Sequence, residues 1–203
     1  DAWSEFNGLE IGNPEELADD ITGLMSTNSF LFIMQAHHIY RLTYQRDPGL
    51  DGGVFLSIRR GCINNRSWVH VDGVTYILDV RGVYRFDGGH GVEDVSAPIQ
   101  DLIRETDGKF SLNWKAAKYF HATHNRSENV VRFFVCLSGQ RLPRHALVFN
   151  YMIEQWSIEE YVHPVGSSQA IEFMLESREI VSGTASLVFI RGKETLDGTN
   201  GVS

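Results

Sequence analysis

The stretch WVHVDGVTYILDVRGVYRF (residues 68–86) contains three short runs of β-branched and aromatic residues, separated by two turn sequences. The first turn is Asp72-Gly73. An Asp-Gly pair between two such runs is typical of a type I′ hairpin, because both central residues need a positive φ. Residues 79–82 form the second turn sequence, and Asp87-Gly88-Gly89 follows the third run. The stretch therefore predicts an up-and-down antiparallel meander.

Similar pairs of runs occur in three other parts of the chain. They are residues 31–34 with 39–42, residues 131–135 with 146–151, and a weaker copy ending at 187–190. When Ile39, Val83, Leu147 and Leu187 are aligned, the copies are 44, 64 and 40 positions apart. A four-stranded propeller blade takes about 40 to 45 residues. The spacing predicts an all-β chain that is a β-propeller or part of one, with about four antiparallel blade-like sheets.

The long middle spacing is explained by a helical insertion between the second and third sheets, at residues 96–118. Ser96 and Ser111 are each expected to cap a short helix there, because serine hydroxyls accept hydrogen bonds from free backbone N–H groups. Ile99 and Ile103 would share the buried face of the first helix. We expect this insertion either to contact a partner or to fill the space between blades.

The whole chain, residues 1–203, is expected to form one domain, because no linker, low-complexity tract or charge block divides it. Residues 13–16 read as a capping box that starts a short helix. The chain begins at Asp1 without an initiator Met or a signal-peptide pattern, which favours a piece of a longer protein.

Composition narrows the class of partners. The chain has 18 Lys and Arg against 26 Asp and Glu, a net charge of −8. Nucleic-acid binding depends on clustered cations, so no nucleic-acid partner is expected. The longest apolar run, residues 30–34, is far shorter than the ~20 residues of a membrane helix, so no membrane association is expected. Cys62 and Cys136 have no CxxC partner, which leaves one disulfide between them open but favours two free, buried thiols.

The histidines favour structural roles over metal binding. His121 and His124 lie three apart in a predicted strand over residues 119–125, so they point to opposite faces and cannot hold one metal ion. His37 and His38 lie together at a turn, where adjacent residues rarely share an ion. The sequence therefore predicts no metal site.

Other reactive patterns are incomplete. The acidic pairs Glu15-Glu16, Asp19-Asp20 and Glu159-Glu160 are sequence neighbours that point apart, whereas a glycosidase needs two carboxyl groups facing each other across a cleft. Cys62 has no base nearby in sequence. Residues 166–170 lack the second glycine of a nucleophile elbow, and residues 197–201 lack the bidentate Glu of a calcium loop. We expect no catalytic residues, no cofactor-binding residues and no enzymatic activity.

Several segments, taken in order, resemble a known family. They are DITGL (20–24), LFIM (31–34), IYRL (39–42), RGCI (60–63), VYRFDG (83–88), VSAPI (95–99), LVFNY (147–151) and QWS (155–157). Together they resemble the blade segments of β-propeller structural proteins from tailed-bacteriophage virions, of the tail, nozzle or tail-fibre-attachment type. The match covers most of residues 8–160.

This resemblance implies a non-enzymatic structural or adaptor module of a virion tail or neck. The implied partners are other virion proteins, with a symmetric homo-oligomer or ring in the assembly. One alternative is a carbohydrate-binding propeller that recognises a host glycan, since Trp3, Trp68, Trp114 and Trp156 could line a sugar platform. Three of these tryptophans also occupy positions expected to wedge blades together. A propeller glycosidase is the less favoured third hypothesis.

Overall fold

The computed structural model describes residues 19–27, 30–43, 53–89, 91–104, 108 and 110–161, and the backbone of 173–181 and 184–192. For residues 43 and 53–55 it describes the backbone alone. The helix expected at residues 13–16, Trp3, and the patterns at 166–170 and 197–201 lie outside the described residues.

Three four-stranded antiparallel sheets and one hairpin make up most of the described chain. Sheet one holds β1 (Ile21–Ser26), β2 (Leu31–Gln35), β3 (Ile39–Thr43) and β4 (Gly53–Ile58); sheet two holds β5 (Trp68–Val71), β6 (Val74–Asp79), β7 (Gly82–Phe86) and β8 (Val92–Asp94); sheet three holds β9 (His121–Asn125), β10 (Val130–Val135), β11 (His145–Asn150) and β12 (Gln155–Glu160); and the hairpin holds β13 (Phe173–Val181) and β14 (Thr184–Gly192). Within each sheet the strands follow one another in sequence order.

The meander predicted at residues 68–86 is confirmed. Asp72 and Gly73 have φ values of 46° and 92°, as a type I′ turn requires. The aligned positions Ile39, Val83 and Leu147 all lie in the third strand of their sheets. Leu187 lies in β14, the second strand of the hairpin, so the described residues contain three four-stranded sheets where about four were expected.

The three sheets pack face to face, with sheet two in the middle. Ile77 of β6 joins a cluster with side chains of sheet one, such as Phe32, whereas its neighbours Tyr76 and Leu78 join a second cluster with side chains of sheet three, such as Phe133. Alternate residues of a strand point to opposite faces, so this division follows from the strand period. Both faces of sheet two are therefore covered.

The first strands of the sheets lie close together. Gly23 of β1 packs against Asn65 and Trp68 at the start of sheet two. Strand β5 lies against β9, and the N–H of Ala122 in β9 donates to the carbonyl of Arg66 at 2.7 Å. The hairpin strand β13 also lies against β9. The last strands, β8 and β12, are largely exposed to solvent. Sheets two and three are therefore close together at their first strands and exposed at their last ones.

The helical insertion lies between sheets two and three, as predicted. It contains a 3₁₀ helix at Ala97–Ile99, α1 at Gln100–Arg104, and a second 3₁₀ helix at Trp114–Tyr119, which we call the insertion helix. Ser96 is the N-cap residue, but its hydroxyl donates to Asp94 Oδ1 at 2.8 Å instead of capping the helix.

Two details of the insertion differ from the sequence-based expectation. Asn113, not Ser111, occupies the N-cap of the insertion helix, which begins at Trp114, and its side chain makes no capping hydrogen bond. The Ser111 hydroxyl donates to the carbonyl of Gly108 at 2.6 Å. The strand expected at residues 119–125 begins at His121 because the insertion helix continues through Tyr119. None of the helices in the described part of the chain has the length and apolar character needed to cross a bilayer.

Candidate interaction site

A groove lies between the insertion helix and the loop that joins β10 to β11. Its volume is about 490 Å³. We call it the basic groove; it is lined by Asn113, Lys115, Ala116, Lys118, Tyr119, Arg141 and Leu142. A second cavity of about 290 Å³ shares Arg141 and Leu142 and adds Arg144. The two openings therefore form one continuous cationic surface.

Backbone and amide hydrogen bonds fix the two walls of the groove to each other. The N–H of Asn113 donates to the carbonyl of Cys136 at 2.8 Å, and Asn113 Nδ2 donates to the carbonyl of Gln140 at 2.6 Å. Leu112 and Leu137 form an isolated antiparallel bridge beside them. These bonds place Lys115 and Arg141 on facing walls although they are far apart in sequence.

The floor of the groove is part of the protein core. Ala116 is buried and packs in the cluster between sheets two and three, and so does Leu112. Tyr119 and Leu142 are half-buried, and the Lys118 Nζ lies over the Tyr119 ring, 4.9 Å from its centroid. The site thus combines a rigid floor, some apolar surface and cationic rims.

The cations of this surface are free to bind an anionic partner. Lys115, Lys118, Arg141 and Arg144 are exposed, and none of them forms an ion pair with a residue that the structure describes. Burial lowers the pKa of the neighbouring His145, and Arg144 lowers it further while Glu160 acts in the opposite direction. Four unpaired cations in a chain of net charge −8 mark this surface as a place for carboxylates.

The opposite end of sheets two and three has the reverse charge. Arg85 of β7 forms ion pairs with Glu93 of β8 and with Glu154 of the β11–β12 turn. The second pair connects sheet two to sheet three. We call this surface the acidic end; it comprises Asp87, Val92, Glu93, Met152, Ile153 and Glu154. Two carboxylates pair with Arg85 and a third, Asp87, lines the adjoining cavity, so the acidic end keeps a negative charge. Strand β11 runs from the basic groove to the acidic end and separates them.

The histidines occupy separate sites. His121 is buried and stacks on Phe134, with ring centroids 4.7 Å apart, whereas His124 Nε2 lies 3.1 Å from the hydroxyl of Tyr151 on the other face of β9. His37 Nδ1 lies 2.8 Å from Asp19 Oδ2. Among the residues that the structure describes, no group of three or more His, Cys, Asp and Glu side chains could hold a metal ion.

The sequence neighbours Glu159 and Glu160 point apart, as predicted, and have different partners. Glu159 accepts hydrogen bonds from Arg132, and Glu160 lies 4.0 Å from His145 Nε2. Asp87 Oδ1 accepts from the N–H of Gly89 at 2.8 Å, which is turn chemistry.

Both cysteines are free and buried. Burial raises the pKa of Cys62 to about 11 and that of Cys136 to about 12, because a thiolate is poorly solvated in the core. The Cys62 thiol lies 3.0 Å from the carbonyl of Asn64. A raised pKa leaves little thiolate at neutral pH, so both side chains act as packing groups.

The three described tryptophans pack between sheets. Trp68 packs against the cluster between sheets one and two, whereas Trp114 and Trp156 pack against the cluster between sheets two and three. Trp156 Nε1 also donates to the carbonyl of Val95 at 2.7 Å. The three tryptophans therefore pack between neighbouring sheets, at positions where the sequence predicted that they would fill such contacts.

The sequence pattern favoured the insertion as an element that contacts a partner, which stays a prediction, and it did not point to the groove residues. No family model matches the chain, and no curated protein matches it either.

Proposed function

We propose that this protein is a non-enzymatic structural or adaptor module of a phage virion tail or neck, which acts through protein–protein contacts at the basic groove. The observation that carries the proposal is the set of four unpaired cations on the insertion surface, Lys115, Lys118, Arg141 and Arg144. Exposed charges of one sign steer and orient a partner of the other sign. The virion assignment is supported by the ordered resemblance of the segments between residues 20 and 157.

The proposed architecture is a β-propeller or part of one. Three observations support it: the consecutive four-stranded meanders, the coverage of both faces of sheet two, and the convergence of the first strands β1, β5 and β9. In a propeller, blades pack face to face around an axis lined by one strand of each blade. The aligned third-strand positions Ile39, Val83 and Leu147 fit this repeat.

A module of this kind needs a stiff body, and the sheet contacts provide one. Arg60, which follows β4, pairs with the buried carboxylate of Asp79 at the end of β6. The Arg60 guanidinium also lies over the Tyr84 ring, 4.4 Å from its centroid. These contacts hold the segment that follows sheet one against sheet two.

The proposal is tested by photo-crosslinking in assembled particles. A photo-reactive amino acid replaces Lys118 in the groove, and a matched control replaces Arg59, an exposed arginine just after β4. We expect purified particles to contain the chain and irradiation to crosslink position 118, but not position 59, to a virion protein or another copy of the chain. A chain that does not co-purify with particles, or a position 118 that forms no adduct, would overturn the proposal.

A further inference from the structure

We propose that the basic groove receives the acidic end of a second copy of this chain, so that copies associate head to tail. This inference rests on the proposed function and names the partner of the same surface. It is carried by two surfaces of opposite charge, located at opposite ends of sheet three.

The acidic end has the features that the groove requires of its partner. Glu93 and Glu154 are exposed and lie around Arg85, and Asp87 lines the same cavity of about 410 Å³ as Glu93. Apolar side chains project beside them: Met152 is 69% exposed and Ile153 is 61% exposed. Such exposed apolar side chains beside charges are typical of an interface.

The groove offers the complementary groups. Lys115, Lys118 and Arg141 stand around the half-buried Tyr119 and Leu142. The carboxylates of a second copy would meet these cations, and Met152 and Ile153 of that copy would cover Tyr119 and Leu142. Charge complementarity then favours the contact at the distances over which unpaired cations and carboxylates attract.

The two surfaces of one copy cannot bind each other. Strand β11 has six residues and joins the β10–β11 loop to the β11–β12 turn, so the surfaces lie about 20 Å apart at a rise of ~3.4 Å per residue. The contact must therefore join different copies. Because it uses two different surfaces, it is heterologous, and it builds a closed ring or an open stack according to the rotation between copies.

The charge balance of the chain also favours this partner. At a net charge of −8, two copies repel each other unless a cationic surface faces an acidic one. The head-to-tail contact is the arrangement in which the cationic groove meets the acidic end.

The test is a charge exchange followed by sedimentation velocity of the full chain. One variant reverses the groove (Lys118→Glu with Arg141→Glu), and a second reverses the acidic end (Glu93→Lys with Glu154→Lys). We expect the wild-type chain to self-associate at low salt and to dissociate at about 0.5 M salt, because screening shortens the range of the attraction. Each variant alone should associate at least about tenfold more weakly.

Mixing the two variants gives the decisive measurement. Each variant then supplies the surface that the other one has lost, so association should return toward the wild-type level. The control is Arg59→Glu, a single charge reversal just after β4 and away from both surfaces, which is compared with Lys118→Glu alone. Arg59→Glu should leave association unchanged, whereas Lys118→Glu should weaken it. If the second variant does not fold, it is replaced by Ile153→Lys, which changes an exposed residue of the β11–β12 turn next to Glu154.

The outcomes separate the inference from the proposed function. A wild-type chain that stays monomeric at low salt, or a mixture that does not associate, overturns the second copy as the occupant. If position 118 still crosslinks to a different virion protein in particles, the proposed function stands and this inference is wrong. If position 118 crosslinks to nothing, both are wrong.

Discussion

Gly61 lies in the segment that connects sheet one to sheet two, and it has no room for a side chain. A Cβ at this position would collide with the backbone of Ala36 and with the carbonyl oxygen of Gln35. The same Gln35 carbonyl accepts a hydrogen bond from the N–H of Cys62 at 2.8 Å, and the Gly61 carbonyl accepts one from the Tyr84 hydroxyl at 2.8 Å. The close approach therefore holds the connecting segment against the β2–β3 turn.

We expect Gly61→Ala to lower the free energy of unfolding by about 1–3 kcal/mol, because the new methyl group meets backbone that cannot move aside. Gly91→Ala is the matched control, since neither glycine has a positive φ and a Cβ at Gly91 meets nothing within 4 Å. The control should change stability by less than about 0.5 kcal/mol. Urea unfolding of both variants checks this, and equal losses would contradict the steric explanation.

Between elements, Arg60 and Asp79 form a largely buried ion pair. The Asp79 side chain is almost fully buried, and its Oδ1 also accepts from the N–H groups of Arg81 and Gly82 in the β6–β7 turn. Burial alone would lower the pKa of Arg60, but the hydrogen bonds and charges of Asp79 and Asp94 outweigh it and raise the pKa. One carboxylate thus organises a turn and joins two sheets.

We expect Asp79→Ala to cost about 3–5 kcal/mol, because it leaves a largely buried guanidinium with only the exposed Asp94 as an ionic partner. The comparison is Glu93→Ala, which breaks the exposed pair with Arg85 and should cost at most about 1 kcal/mol. Chemical denaturation at high salt, where self-association is screened, measures both. Similar losses would show that the Arg60 pair contributes no more than a surface pair.

The strands that could be predicted from the sequence are those with a run of apolar residues or with a recognisable turn sequence beside them. Residues 68–86 were predicted closely because the Asp72-Gly73 turn and the apolar runs agree with each other. The outer strands β8 and β12 were missed as separate elements, because β8 is three exposed residues and β12 is mostly exposed with no regular alternation. Edge strands carry charges for protection against pairing, and this removes the apolar pattern that identifies them.

The basic groove could not be predicted for a different reason. Lys115 and Arg141 belong to separate elements. Their segments are brought together by the hydrogen bond that the Asn113 side-chain amide donates to the carbonyl of Gln140. No local pattern encodes that contact. Ser111 illustrates a second limit, because the helix it was expected to cap begins at Trp114, and the Ser111 hydroxyl donates to the nearby Gly108 carbonyl instead.

For the molecule as a whole, four groups with shifted pKa values define a pH range of maximal stability. Burial lowers the pKa of His145 below its ordinary 6.5. Burial would raise the pKa of Glu159, but the hydrogen bonds from Arg132 and Tyr161 outweigh it and hold this pKa below the ordinary 4.5. In both cases the folded protein binds fewer protons than the unfolded chain, so stability falls as the pH drops through 6.5 and again through 4.5.

The alkaline limit begins with the thiols, and burial also raises the pKa values of Tyr76 and Tyr84 above their ordinary 10.0, which adds to the loss of stability at higher pH. Burial raises the pKa of Cys62 to about 11 and that of Cys136 to about 12, above the ordinary 9.0. The unfolded chain then loses these protons first, so the stability present below pH 9.0 is lost as the pH rises toward 11. The four groups together predict a plateau between pH 6.5 and pH 9.0.

We therefore expect the free energy of unfolding of the whole chain to be highest on this plateau and to fall on both sides, by at most about 1.4 kcal/mol per pH unit for each group. Urea unfolding at a series of pH values measures the curve, at a salt concentration that keeps the chain monomeric. His145→Gln should flatten the shoulder that begins at pH 6.5, and Cys62→Ala should reduce the alkaline slope even if the cavity it creates lowers the plateau. Stability that rises between pH 9 and pH 11 would contradict the burial of the thiols and, with it, the packing of sheet one on sheet two around Cys62.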